Sequence, residues 1–321
     1  MLTRSEFRPA WWLRGAHAQT LWPYLSRQRP APVLQPERLE LPDGDFVDLR
    51  WTPAAAPDAP VLAVFHGLEG SLASPYAARI MAAVQEQGWR GVFMYFRGCS
   101  GEPNRARGSY HSGHTPDIAF LLETLAQRHP GVPRYAVGYS LGGNALLKYL
   151  GEQGAAAPLT AAAAVSVPFL LDNGARRLNR GLSRLYQRHL IRLLQNKVLR
   201  KVALGRLDAE PRAVLRLRTF YQFDDAVTAP LHGFAGADDY YARSSSRHYL
   251  GNIHVPTLIL HARDDPFMTP AAIPAGDELA PAVQLELSAH GGHVGFISGG
   301  WPWRPRYWLE PRLLRFFAGR N

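Results

Sequence analysis

A single cysteine among 321 residues leaves no partner for an intramolecular disulfide, which excludes a disulfide framework. The first residues lack the continuous apolar stretch of a signal peptide, and no apolar run is long enough to span a bilayer. A soluble cytoplasmic protein is therefore expected. There is no His-Glu-x-x-His and no cysteine pair, and the histidine pairs His111/His114 and His290/His293 carry no further ligand signature. Metal catalysis is not expected, and no cofactor is called for. Acidic residues are also scarce: 26 Asp and Glu against 36 Lys and Arg give a formal net charge of +10. Such an excess raises nucleic acid or an anionic surface as a partner, but no recognised nucleic-acid-binding motif accompanies it.

The chain does hold Gly138-Tyr139-Ser140-Leu141-Gly142, preceded by apolar Tyr135-Ala136-Val137 and followed by a helix-forming stretch over 144–150. Strand, sharp turn and helix around a serine describe a nucleophile elbow, whose strained serine tolerates only small neighbours. A serine hydroxyl needs a histidine to take its proton and a carboxylate to orient that imidazole, in the chain order Ser, Asp or Glu, His. The buried strand pattern over 256–261 runs into Asp264-Asp265-Pro266, and the alternating pattern over 282–287 runs into His290-Gly291-Gly292-His293. Position before the proline favours Asp265 over Asp264. Flanking glycines favour His293 over His290. An oxyanion hole requires two backbone N–H donors: Leu141, directly after the serine, and Leu68, in the glycine-bearing turn His66-Gly67-Leu68-Glu69-Gly70 after an apolar strand at 61–65. His66 reads as a residue that holds this turn. Cys99 lacks an elbow and reads as a buried or loop thiol.

These residues, with Phe7-Arg8-Pro9-Ala10-Trp11-Trp12-Leu13, Gln19-Thr20, Ser74-Pro75-Tyr76, Arg97-Gly98-Cys99-Ser100-Gly101 and Tyr110 to Asp117, make a series along nearly the whole chain. In it the sequence resembles the YheT-type branch of the α/β-hydrolase superfamily, with its eukaryotic ABHD1/ABHD3-like esterases and phospholipases. The resemblance implies Ser140 as nucleophile, His293 as general base and acid, and the Asp264/Asp265 position as the triad acid. It implies carboxylic ester hydrolysis on a small-molecule or lipid ester, with acyl transfer to an alcohol as the alternative. A non-catalytic ligand-binding protein on the same fold is the reading from another class.

The element pattern agrees with an α/β-hydrolase fold, a mostly parallel doubly wound sheet with an inserted helical cap. A hairpin is expected over 37–51, then strands at 61–65, 91–96, 134–138 and 161–167 alternating with helices near 75–87 and 116–128, the latter capped by Thr115. Residues 1–168 and 254–321 would form the core and 169–253 the cap. Within the cap, Leu178, Leu182, Leu185 and Leu193 recur at helical spacing, with Arg180, Arg184, Arg188 and Arg192 roughly opposite, which predicts one basic amphipathic helix over 177–199. Its arginines read either as a solvated face or as a peripheral contact with anionic membrane surfaces.

Overall fold

The computed structural model describes residues 1–26, 32–53 and 55–320. Nine strands form one sheet: β1 (Leu2–Arg4), β2 (Gln35–Glu40), β3 (Phe46–Trp51), β4 (Val61–Phe65), β5 (Arg90–Met94), β6 (Arg134–Tyr139), β7 (Ala161–Val165), β8 (Thr257–Ala262) and β9 (Val283–Ser288). Their spatial order is β1-β9-β8-β7-β6-β4-β5-β3-β2, parallel from β1 to β5 and antiparallel at β5/β3 and β3/β2. The central strands are apolar throughout and buried on both faces, as the Ala161-Ala162-Ala163-Ala164-Val165 run shows. Helices packed on both sides of a parallel sheet require this. A separate hairpin, β10 (Ile297–Trp301) with β11 (Arg304–Tyr307), follows β9.

Helices α1 (Ala16–Leu25), α2 (Pro75–Glu86), α3 (Pro116–Arg128) and α4 (Leu141–Gln153) precede the insertion. Between β7 and β8 the chain forms α5 (Leu171–Leu178), α6 (Ser183–Ala203), α7 (Pro211–Arg216), the short α8 (Phe220–Phe223) and α9 (Ala229–Leu231), and α10 (Ala237–Ser244). A last helix, α11 (Leu309–Ala318), covers the sheet. Among the described residues no helix is long and apolar enough to cross a membrane.

Three expectations need correction. The helix expected over 177–199 is two helices, broken between Leu178 and Ser183 where Gly181 takes φ 54°. The buried side of α6 is not the leucine stripe but Ser183, Gln187, Ile191, Gln195, Val198 and Lys201. Its polar members meet loop carbonyls left over by irregular backbone: Ser183 Oγ donates to Pro266 O (2.7 Å), Gln195 Nε2 to Leu217 O (2.9 Å) and Lys201 Nζ to Gly108 O (2.7 Å). Leu182 and Leu185 are left 64% and 63% exposed. Third, Thr115 does not cap α3 with its side chain; its hydroxyl donates to Glu152 Oε2 at 2.7 Å.

The chain passes from β4 outward to β5 and then back across to β6, so β4 and β6 are neighbours whose following loops diverge. Such a switch point opens a crevice at the carboxyl ends of the strands. The His66–Gly70 turn and Ser140 both lie there.

Candidate active site

Ser140 follows β6 directly and takes φ 52° and ψ −118°, a conformation that costs a non-glycine residue on the order of 1–3 kcal/mol. Close backbone approach holds it. A Cβ on Gly138 would lie 2.4 Å from Gly142 O, and one on Gly142 would lie 2.5 Å from His66 O. Only glycine permits strand, elbow and the turn after β4 to meet this closely. Ser140 O then accepts the Asn144 N–H (3.0 Å) and starts α4, while Asn144 Nδ2 donates to Ser112 O and Ser244 O and ties the elbow to the insertion.

The fold brings Ser140, His293 and Asp265 together from the ends of β6, β9 and β8. His293 Nε2 lies 2.9 Å from Ser140 Oγ, and His293 Nδ1 lies 2.8 Å from Asp265 Oδ2. Asp265 is buried, and its other oxygen accepts the Phe267 N–H at 2.8 Å. The neighbouring pair is separate: Asp264 Oδ2 lies 3.3 Å from Nδ1 of exposed His290, and Asp264 Oδ1 accepts the Gly292 N–H at 3.0 Å. Burial raises the Asp264 carboxyl above its usual range, against these contacts.

Groups that the sequence argument gave no role hold the His293 loop. The Phe267 ring stacks on the His293 imidazole with centroids 4.0 Å apart and planes 2° apart. Thr20 Oγ1, on α1, accepts the His293 N–H at 2.9 Å, and Ser166 Oγ accepts that of Val294 at 3.0 Å. Buried Gln19 grips β10 through Ile297 N–H and O. Gln19-Thr20 was visible in the sequence only as part of a motif, because its partners lie more than 270 residues away.

The turn after β4 is fixed at both sides of Leu68. Gly67 N–H donates to Tyr76 Oη (2.8 Å), and Glu69 N–H donates to Tyr110 Oη (2.7 Å). The Leu68 N–H between them has no protein acceptor among the described residues. Gly67 lies against Ser140, since a Cβ there would be 3.2 Å from Ser140 Cβ. Leu141 N–H sits in the first turn of α4, where helix N–H groups lack intrahelical acceptors. Unsatisfied donors beside a nucleophile are what a developing oxyanion needs.

Glu69 has φ 51° and closes a turn in which Gly70 N–H donates to Gly67 O. Its carboxylate accepts from Tyr110 Oη (2.8 Å) and from Lys197 Nζ of α6 (2.6 Å). Cys99 Sγ accepts from the same Lys197 Nζ at 3.0 Å. Burial raises the Cys99 thiol to about 11, so it is not a thiolate nucleophile at neutral pH. His66 is buried, donating through Nδ1 to Gly67 O (2.6 Å) and accepting Phe96 N–H at Nε2 (3.0 Å); burial lowers its pKa to about 3. It braces the turn and stays neutral. Among the described residues no group of three or more His, Cys, Asp or Glu side chains is arranged to hold a metal ion.

A cavity of about 500 Å³ opens onto Ser140 and His293, walled by Leu68, Tyr76, Leu190, Leu193 and Phe267, with His17, Leu21, Tyr24, Leu182 and Leu185 at its mouth. On the insertion side a narrower chamber of about 100 Å³ also reaches Ser140, between Leu171, Leu178, Phe220 and Tyr241.

A model of the α/β hydrolase fold matches residues 60–300, most of the chain, and the protein belongs to that family. The candidate esterase YheT of Escherichia coli (strain K12) is 47% identical over 313 residues, covering 96% of this chain and 92% of its own. The phospholipase ABHD3 of Mus musculus is 31% identical over 309 residues, covering 93% of this chain and 75% of its own. Both bear out the branch that the motifs resemble. Among solved structures, the esterase Pf2001 of Pyrococcus furiosus superposes with a TM-score of 0.53 over 83% of this chain and 90% of its own; at 14% identity it shows the shared fold alone.

Proposed function

We propose that this protein is a serine-dependent carboxylic ester hydrolase that works through an acyl-enzyme. The observation that carries the reading is the unbroken line from Asp265 through His293 to Ser140 beside the free Leu68 and Leu141 N–H groups. Ser140 Oγ bonds to the ester carbonyl carbon as its proton passes to His293 Nε2. The carbonyl oxygen becomes an oxyanion and takes the Leu68 and Leu141 N–H bonds. Its collapse breaks the bond to the leaving alkoxide, which takes the proton from His293. Water then attacks the acyl-enzyme with His293 as base, releasing the acid and restoring Ser140. Asp265 holds Nδ1 protonated and stabilises the imidazolium.

The substrate class we infer is a lipid-like or short- to medium-chain acyl ester, since both chambers at Ser140 are predominantly apolar and one relative is named a phospholipase. The insertion over 169–253 would act as a cap, its exposed arginines attracting anionic lipid surfaces, and a single cysteine fits a cytoplasmic setting. An alcohol seated in the wider chamber in place of water would make the same acyl-enzyme an acyltransferase.

Hydrolysis of p-nitrophenyl esters of graded acyl length by wild type, Ser140→Ala and His293→Ala tests the reading. Each variant is expected to lose about 10⁴-fold or more in turnover while remaining folded. Fluorophosphonate should label wild type and not Ser140→Ala. Near-normal turnover by Ser140→Ala would refute the mechanism.

A further inference from the structure

Of three contacting segments remote in sequence, 7–26 and 180–192 supply the cavity mouth and 297–307 packs beside the first. Residues 7–26, 180–192 and 297–307 hold eight arginines and no aspartate or glutamate. All eight arginines are exposed, and none has a carboxylate partner among the described residues. Elsewhere arginines are commonly paired, as Arg38, Arg97, Arg247 and Arg312 are. The same segments carry eight of the fourteen exposed large apolar side chains.

These segments touch. Trp11 packs edge-on against Trp301 with centroids 5.8 Å apart, and Trp301 stacks on Trp303 at 5.4 Å; the three are 62%, 55% and 70% exposed. Trp12, ahead of α1, joins the chain N-terminal to that helix to the β10/β11 hairpin through its indole N–H on Gly300 O (2.9 Å), and packs on Trp22 of α1. On α1, His17 Nδ1 meets Tyr186 Oη of α6 at 3.0 Å. The tryptophan cluster, α1 and the start of α6 are thus one contiguous structure, and α1 and α6 supply the mouth residues.

We infer that this tryptophan-bearing, arginine-rimmed collar is a docking surface for an anionic lipid bilayer, which it meets with the cavity mouth facing the membrane. Unpaired guanidinium groups attract acidic head groups, while indole rings fit the head-group layer, where an apolar ring and a polar N–H both find partners. An apolar ester then passes from the bilayer along Leu182 and Leu185 to Ser140 without crossing water. That purpose rests on the ester-hydrolase reading; the docking does not.

The test is co-sedimentation of the full chain with vesicles of phosphatidylcholine alone and of phosphatidylcholine mixed with phosphatidylglycerol, beside quenching of tryptophan emission by lipids brominated on the acyl chain. Two variants accompany wild type: one combining Trp11→Ser, Trp301→Ser and Trp303→Ser, the other combining Arg180→Gln, Arg184→Gln, Arg188→Gln and Arg192→Gln. Wild type should bind the anionic vesicles with quenched emission, and each variant should bind at least about tenfold more weakly. The tryptophan variant should still turn over water-soluble p-nitrophenyl acetate at the wild-type rate, so lost docking is distinguishable from lost chemistry. If that variant does not fold, quenching of wild type and binding of the arginine variant decide. Equal binding by wild type and variants, or unquenched emission, would overturn the proposal. So would a tryptophan-dependent dimer in sedimentation velocity that ignores vesicles, which would assign the face to a second copy.

Discussion

Asp264 and Asp265 are adjacent and both near a histidine, yet the fold buries Asp265, leaves Asp264 partly exposed and gives them different partners. Asp265 reaches the histidine that touches Ser140, whereas Asp264 braces the Gly292 turn and meets His290. Successive residues leaving a strand project in different directions, so one carboxylate enters the crevice and the other turns to the loop. Asp265→Asn is expected to lower kcat on a soluble ester by about 10⁴, because an amide cannot hold the Nδ1–H tautomer as a carboxylate does. Asp264→Asn should cost less than about tenfold and act on the loop. Parallel kinetics on both variants check this, and the reverse ranking would transfer the role to Asp264. At this scale the residues in contact are those that strand-end spacing singles out. Phe267 and Thr20 were not legible as supports, because stacking and a long-range backbone contact leave no local pattern.

Among the elements, α6 and the turn after β4 departed furthest from what periodicity conveys. A leucine every three or four residues predicts a face buried in a core, but the leucines at the start of α6 line a cavity mouth and its polar stripe satisfies loop carbonyls. Lys197 belongs to that inverted logic. It crosses from the insertion to Glu69, whose left-handed backbone conformation costs a non-glycine residue about 1 kcal/mol or more. Two side chains on one carboxylate hold the conformation, and with it the Leu68 N–H. Glu69→Gln and Lys197→Met should therefore lower kcat by about tenfold to a hundredfold with little change in KM, the signature of a group that acts on the transition state. Glu69→Gly separates the two contributions, since it relieves the backbone strain and removes the bonds. If it turns over at the wild-type rate, the bonds serve only to offset strain, and the positioning role fails.

The parallel sheet was the most legible feature of the whole molecule, because doubly buried strands are continuous apolar runs bounded by turns. The three-residue β1 was not, since its strand partner among the described residues is β9, some 280 residues away, nor was the β10/β11 hairpin. Histidine burial was equally invisible in the sequence, and it sets how the molecule meets acid. Burial lowers the pKa of His66 to about 3, and of His232 and His261 to about 4; burial, with His232 beside it, lowers His111 to about 2. In the unfolded chain each titrates near 6.5, so the folded values are depressed. Their stabilisation is complete above the unfolded value and is lost as pH falls from about 6.5 toward about 4. Each contributes at most about 1.4 kcal/mol per pH unit once the pH is below the unfolded value, and the four together at most about 5.6 kcal/mol per unit, against a typical total stability of about 5–15 kcal/mol. Asp224 opposes them: burial raises its carboxyl to about 6, so it favours the folded state below its unfolded value and loses that contribution as pH rises through about 6. Burial also raises the carboxyls of Asp264 and Glu310, which act in the same sense, so the response to acid is the balance of four imidazoles against three carboxyls. Urea unfolding at successive pH values should show stability falling steeply between pH 6.5 and 5, with His261→Leu giving a slope shallower by about one histidine's share. A flat profile over that range would mean that these rings take up protons in the folded state. His66 would then lose its Nε2 acceptor for Phe96 N–H, and the turn carrying Leu68 would loosen before the sheet did.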